Sequence, residues 1–457
     1  MKKSFWVRLF SNKLMQGFMA LKGNQIVVLT FVFLISAGAL LLMTPFATTD
    51  GQGLSWIDAY FTATSGSCVT GLTVVDVKND LTFFGQLVLL FCIQAGGLSM
   101  TTFGTLLAVA LGRKINLKER LVLQESLNQD EPQGVVKLTL KVVKYTFIIE
   151  AFFALILTWH FSRLGGFDSV WYGIFHSISG FCNAGFDLFG NYDSLVHYSD
   201  DVVLNLCIMT LIVLGGLGFP TMVDIFRQRH WSTLHLHSKL VLVGTSSFIL
   251  GGALLLFALE HQNPATMGGH PFYEQMLMSF MQSISARTAG FNSVDLASLR
   301  EISKLVLCFL MFVGACPSST GGGIKITTFL VILLATWATL RGRQEPVVFG
   351  RRIGQDIVSK AMTVFTLSAV WVMIAFFGLL CVNYAHHPFS FVFFETISAF
   401  GTVGMGVGIT NDWDTVGKLI LIVTMFLGRV GIITFVLSLM EQKPDNISYP
   451  TSNITIG

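Results

Sequence analysis

Charge is what this sequence has least of. Of 457 residues, 12% are charged and 53% are hydrophobic. About a quarter of an ordinary soluble chain is charged, so that class is excluded. The net charge of +3 is too slight to point to nucleic acid. Cysteine is sparse as well. Cys68, Cys92, Cys182, Cys207, Cys308, Cys316 and Cys381 are scattered, mostly in apolar runs, with no C-x-x-C pair. They read as small packing residues rather than disulfides or ligands. Catalytic constellations are missing too. No H-E-x-x-H, Ser/His/Asp or paired-carboxylate pattern rises above chance, and Ser319–Lys325 (STGGGIK) does not satisfy the phosphate-binding loop pattern. An enzyme is therefore not expected. His230, His235 and His237 lie beside Trp231 in a basic connection, without a carboxylate or cysteine to complete a metal site, and read as surface histidines. No cleavable signal peptide is evident, because the first apolar run starts too late and is long enough to span a membrane.

Long apolar runs are what the chain does have. A bilayer-spanning helix needs about 20 predominantly apolar residues. Candidates are Gln25–Phe46, Phe84–Leu111, Val142–Phe161, Val202–Phe226, Leu240–Leu259, Leu305–Leu340, Val358–Tyr384 and Leu419–Met440. Four further segments are too short to cross: Trp56–Ser67, Val170–Phe181, Phe272–Ala286 and Phe391–Phe400. Each is followed by a glycine loop, and Gly71, Gly185, Gly290 and Gly404 recur at a spacing of about 105 to 115 residues. Irregular backbone at membrane depth is tolerated only where it lines a cavity or is buried in protein.

The expected fold is an all-α membrane protein of four pseudo-symmetric span–pore helix–span repeats. Eight transmembrane helices and four re-entrant pore loops surround one central ion pathway. The repeats fall at 24–112, 138–228, 239–341 and 357–440, between an N-terminal segment at 1–23 and a tail at 441–457. Ser4–Leu21 has the spacing of an interfacial amphipathic helix, with a disordered tail as the alternative. Basic residues cluster at the N-terminus and between the repeats, as at Arg113, Lys114, Arg227, Arg229, Arg341, Arg343, Arg351 and Arg352. The positive-inside rule places these connections and both termini in the cytoplasm.

The second spans share small-residue motifs, at Ala95–Phe103, Leu214–Met222 and Leu427–Phe435, which suit close helix approach. The third repeat departs from them. Gly314–Thr328 (GACPSSTGGGIKITT) interrupts its second span, and Pro317 with Gly321–Gly323 cannot support a regular helix there. Two half-helices joined by an intramembrane loop are expected.

Four matched glycine loops around one axis have the geometry of a selectivity filter, in which backbone carbonyls replace the hydration shell of an ion. Inward-pointing carbonyls demand alternating or left-handed backbone angles, which a Cβ penalises. The half-helices add partial negative charge at their C-termini, favouring a cation. Filter residues are expected at Val69-Thr70-Gly71, Asn183-Ala184-Gly185, Thr288-Ala289-Gly290 and Thr402-Val403-Gly404, with a cation bound there and no other metal site. Gly314, Ser318, Ser319, Thr320, Gly321, Gly322, Gly323 and Lys325 form a loop able to move into or out of the pathway. Lys325 is either part of it or reaches to the inner surface. Arg429 needs buried partners, and loop carbonyls are the natural ones; a purely structural role against a neighbouring helix is the alternative. Asp76, Asp187 and Asp295 follow their glycines closely and either ring an outer mouth or sit in ordinary solvated loops. The sequence offers no partner for Arg287.

These motifs resemble the potassium-translocating membrane subunits of the Ktr/Trk/HKT superfamily. The match runs from Asn24 to Met440 and is carried by the four glycine loops, with Leu72, Phe186, Phe291 and Met405 following them, by the Gly314–Thr328 loop and by Arg429. Eight spans without an extra N-terminal pair resemble the Ktr branch most. The resemblance implies potassium uptake across the bacterial inner membrane and a gating role for the loop just below the filter. It implies stimulation by sodium ion, a homodimer, and a cytosolic nucleotide-binding regulatory subunit arranged as a ring. The rival reading is a secondary active transporter coupling a cation gradient to another solute. Glu150, the one carboxylate well inside a span, would then be its coupling site.

Overall fold

The computed structural model describes residues 23–99, 102, 120, 121, 124 and 134–440. The amphipathic helix expected at Ser4–Leu21 and the tail at 441–457 lie outside the described residues.

Among the described residues the architecture is helical apart from one small hairpin, in which Val347–Val348 pairs antiparallel with Arg351–Arg352. Four long helices alternate with four short ones. The long helices are α1 (Gly23–Leu42), α4 (Val135–His160), α8 (Leu236–Glu260) and α12 (Gln355–Cys381). The short ones are α2 (Trp56–Ser67), α5 (Gly166–Cys182), α9 (Phe272–Ser285) and α13 (Phe389–Gly401), of 12 to 17 residues. Each short helix packs on the long helix before it. All four end at a loop that carries one of the recurring glycines. Further helices follow: α3 (Phe83–Gly97), α6 (Val202–Gly216), α10 (Glu301–Phe312) and α14 (Thr415–Val430). Three of these start on a side-chain cap, with Thr82, Asp201 and Asp414 accepting the amides of Gly85, Leu204 and Gly417. Such caps satisfy amides that have no partner within the helix.

Among the described residues, α1, α8 and α12 are long and apolar enough to cross a membrane, and two bent pairs qualify if each is one span. Those pairs correct the sequence reading. Val202–Phe226 and Leu419–Met440 are not straight spans. Helix α6 turns by 97° into α7 (Phe219–Gln228), and α14 turns by 95° into α15 (Ile432–Leu439). The breaks fall at Gly218 and Gly431, with φ of 86° and 88°, a left-handed region that other residues enter at a penalty. Pro220 lies in the first turn of α7, where its missing amide leaves no broken bond. The interruption expected in the third unit is present. Helix α10 stops at Phe312 and α11 (Ile326–Leu340) starts beyond an irregular loop.

The glycines of the shared motifs do permit close approach. A Cβ on Gly96, Gly215 or Gly428 would lie 1.9, 1.9 or 2.0 Å from the carbonyl oxygen of Ser67, Phe181 or Phe400. The helix after each of these three loops is thus pressed against the end of the short helix before it. His235 is exposed, as the sequence reading has it, and pairs with Asp224, which lies 2.8 Å from its Nδ1. No group of three metal-ligating side chains forms among the described residues.

Candidate functional site

The four glycine loops meet in a closed ring. A Cβ on Gly71 would lie 2.5 Å from the Ala184 carbonyl oxygen, on Gly185 2.6 Å from that of Ala289, on Gly290 2.7 Å from that of Val403, and on Gly404 2.1 Å from that of Thr70. Each loop therefore touches the next, and the fourth touches the first. No side chain fits at any of the four positions.

Backbone conformation repeats with the ring. Gly71, Gly185, Gly290 and Gly404 have φ of 95°, 70°, 81° and 88°. Two residues earlier Val69, Asn183, Thr288 and Thr402 also have positive φ, at 57°, 60°, 78° and 49°. The residues between, Thr70, Ala184, Ala289 and Val403, do not share it. Alternating signs of φ turn successive carbonyls towards one side of the strand. Positive φ at a β-branched residue is a true outlier, costing of order 1–3 kcal/mol, and survives only where the surroundings enforce it. The short helices do the enforcing. Thr70, Ala184 and Val403 donate their amides to the carbonyls of Ser65, Ser179 and Ser398 at 2.7, 2.8 and 2.9 Å, and Ala289 donates to Ser285 at 2.9 Å. The Ser65 hydroxyl accepts the Gly71 amide at 3.1 Å, and that of Ser179 donates to Phe186 at 2.6 Å.

On one side of the ring lies a cavity of about 380 Å³, lined by all four glycines. Asp76, Asp187, Asp193 and Asp295 line it, and no lysine or arginine does. The three expected carboxylates are thus brought together and joined by a fourth. Asp76 is also a fastener, since its two oxygens accept the amides of Lys78, Asn79 and Asn191.

The other side is closed by the loop between α10 and α11. The Gly322 amide donates to Thr402 Oγ1 at 3.0 Å, and Thr320 Oγ1 lies 3.3 Å from the Asn183 amide group. A Cβ on Gly321 would collide with Thr288 Oγ1. Gly314 donates to the Ile324 carbonyl at the base of the loop, and Gly323 donates to Gly428. The Ser319 hydroxyl accepts the Gly321 amide, while the Ser318 carbonyl accepts that of Phe219. Lys325 is folded back on the loop, with Nζ 2.6 Å from the Gly321 carbonyl, and does not reach for the inner surface.

Two arginines, Arg287 buried and Arg429 partly so, hold this loop. Arg429 donates to the Thr320 carbonyl and, at 2.5 and 3.2 Å, to those of Gly96 and Gly97. Its partners are loop and helix-end carbonyls, as its position demanded. Arg287 is 5% exposed and donates to the Thr245 carbonyl at 3.2 Å, with its other terminal nitrogen 4.0 Å from Cys316 Sγ. It lines a cavity of about 10 Å³, room for about one water, beside Ala315. Sequence reasoning found Arg287 but not its role, because its partners are a thiol and a backbone carbonyl in elements far along the chain. Glu150 lies away from the ring cavity. It accepts from Gln94 Nε2 at 3.2 Å, and its backbone carbonyl accepts from Ser177.

The solved potassium transporter TrkH of Vibrio parahaemolyticus has the same fold, with a TM-score of 0.72 and 22% identity over 92% of this chain and 85% of that one. The Ktr system potassium uptake protein B of Bacillus subtilis is 43% identical over 95% of this chain and 96% of its own length. Its namesake in Vibrio alginolyticus is 38% identical with the same coverage. The potassium/sodium uptake protein NtpJ of Enterococcus hirae is 36% identical over 95% of this chain and 97% of its own. The sequence model of the TrkH cation transport proteins matches residues 6–448, and the chain belongs to that family.

Proposed function

We propose that this protein takes up potassium ion across the bacterial inner membrane, through a path on the axis of the glycine ring. The alternation of φ signs in all four loops carries this reading, because it aims stacked carbonyls at one axis. Carbonyl oxygens so placed substitute for the water around a cation. Val69, Thr70, Gly71 and their counterparts in the other three loops are the filter. The units at 24–112, 138–228, 239–341 and 357–440 are the four span–pore helix–span repeats. The acidic cavity is the outer mouth, and it concentrates cations before they shed water.

The loop from Gly314 to Lys325 is the gate. It lies directly beneath the ring, and Arg429 pins it at Thr320. It touches Thr288, Asn183 and Thr402, one residue from each of three filter loops. Opening requires those contacts to break together. The driving force is the membrane potential, about 2.3 kcal/mol per charge per 100 mV. The relatives carry names for a Ktr system and for potassium and sodium uptake, and the resemblance of the motifs extends the proposal to a homodimer working with a cytosolic nucleotide-binding ring and to stimulation by sodium. The bond between Gln94 and Glu150 fixes that carboxylate away from the ring cavity and disfavours its use as a coupling site.

Potassium uptake into cells lacking their own potassium systems tests the proposal, with and without sodium and with a regulatory subunit co-expressed. Saturable potassium uptake is expected. A well-inserted protein that moves no potassium under any of these conditions would refute it.

A further inference from the structure

Arg287 stands where the other three units carry small residues. It immediately precedes Thr288, and the residues that precede Val69, Asn183 and Thr402 are Cys68, Cys182 and Gly401. The third unit is also the one whose helix after the ring glycine is interrupted, between α10 and α11. The arginine thus goes with the loop beneath the ring and not with the ring as such.

Its charge is buried with nothing of opposite sign beside it. Arg287 is 5% exposed, and among the described residues no aspartate or glutamate pairs with it. A buried cation without a carboxylate is costly and depends on its hydrogen bonds. Here these are few. One terminal nitrogen donates to the Thr245 carbonyl of α8 at 3.2 Å, the other lies 4.0 Å from Cys316 Sγ, and Nε has no partner. Cys316 is fully buried, and its thiol lies 3.5 Å from the Thr245 hydroxyl. Arg287, Thr245 and Cys316 therefore close a set of contacts between α9, α8 and the loop. The Cys316 amide ties the same point to the second unit, donating to the Gly216 carbonyl at 3.2 Å. Cys316 is at the foot of the loop, whereas Arg429 holds it further along, at Thr320. The two arginines come from different units and grip different parts of it.

We propose that Arg287 is a second latch of the gate, a positioning residue that holds the foot of the loop at Cys316 while Arg429 holds Thr320. The inference rests on the gate reading of that loop. Opening then requires Cys316 to leave the guanidinium as well as Thr320 to leave Arg429. The near-empty donor set of Arg287 keeps the cost of that release small enough for a regulatory subunit to meet.

The test is potassium uptake by the whole protein without its regulatory subunit, in Cys316→Ala, Arg287→Gln and Arg287→Lys. Uptake is expected to rise about threefold or more in Cys316→Ala and Arg287→Gln. Arg287→Lys keeps the charge but loses the forked donor, and falls between them and the parent. Labelling by N-ethylmaleimide, mapped by mass spectrometry, reads the foot directly. Cys316 is expected to react faster in Arg287→Gln than in the parent, while Cys68, Cys182 and Cys308 stay unreactive, a pattern that unfolding would not give. Combining Arg287→Gln with deletion of Thr320–Gly323 is expected to add nothing to the uptake of the deletion alone. A folded Cys316→Ala with parental uptake would overturn the latch, whether or not Arg287→Gln inserts. So would an Arg287→Gln effect of the same size with and without the deletion. Failure of the gate reading looks different: the deletion itself would then leave uptake unaltered.

Discussion

Gly290 has no room to change. A Cβ there would lie 2.7 Å from the Val403 carbonyl oxygen and 3.1 and 3.3 Å from the α-carbons of Gly185 and Gly404. Gly290→Ser therefore pushes on two neighbouring loops at once and opens the ring. Preference for potassium over sodium is expected to fall by about tenfold, or ~1.4 kcal/mol. Competition uptake measures it; equal preference in variant and parent would show that the carbonyls do not select. Asp187 gives a second prediction. Burial pushes its carboxyl up to about 6, with the charges of Asp76 and Asp193 adding and the Phe189 and Gly190 amides opposing. It is negative above that pH and loses its charge as pH falls through it. Uptake at sub-saturating potassium is expected to drop as external pH goes from about 7.5 to about 5, and to lose that step in Asp187→Asn. The shift is upward, so acid stabilises the folded chain through this group. Lost uptake then reports charge rather than unfolding.

In the proposed function, regulation turns on the loop from Gly314 to Lys325. Deleting Thr320–Gly323 removes its contacts with Arg429, Thr288 and Thr402 while leaving α10 and α11 intact. Uptake without a regulatory subunit is expected to rise several-fold, and unaltered flux from a folded deletion would end the gating role. Much of this element was legible. Pro317 and three consecutive glycines announce a broken helix wherever hydropathy alone announces a span. The bends at Gly218 and Gly431 were not legible, because Leu217, Phe219, Val430 and Ile432 keep the runs apolar on both sides of each break. The ring glycines were found because left-handed backbone leaves few alternatives to glycine. Positive φ at Val69 and Thr288 could not be found that way, since β-branched residues adopt it only under contacts made by distant parts of the chain.

The whole molecule is one chain folded into a ring, and a ring needs a seam. Lys418 of the last unit meets Asp58 of the first at 2.6 Å, with side chains 13% and 26% exposed. Asp58 also accepts the Ser55 hydroxyl at the start of α2. A half-buried pair of this kind is expected to show a coupling energy of about 1–2 kcal/mol in a double-mutant cycle of Asp58→Asn and Lys418→Met. Thermal unfolding in detergent measures it, and additive effects would mean that the seam closes by packing alone. The helical membrane character of the chain and the recurring glycines were readable from apolar runs and spacing. Ring closure was not, because nothing in the sequence states which unit neighbours which.

The central claim is that the glycine ring itself binds potassium in place of water. Calorimetric titration of the purified protein with potassium and with sodium, in parent and in Gly290→Ser, tests it most directly. The account predicts that the parent binds potassium more tightly than sodium and that the variant loses this difference. Equal potassium affinity in parent and variant, with the variant folded, would contradict it.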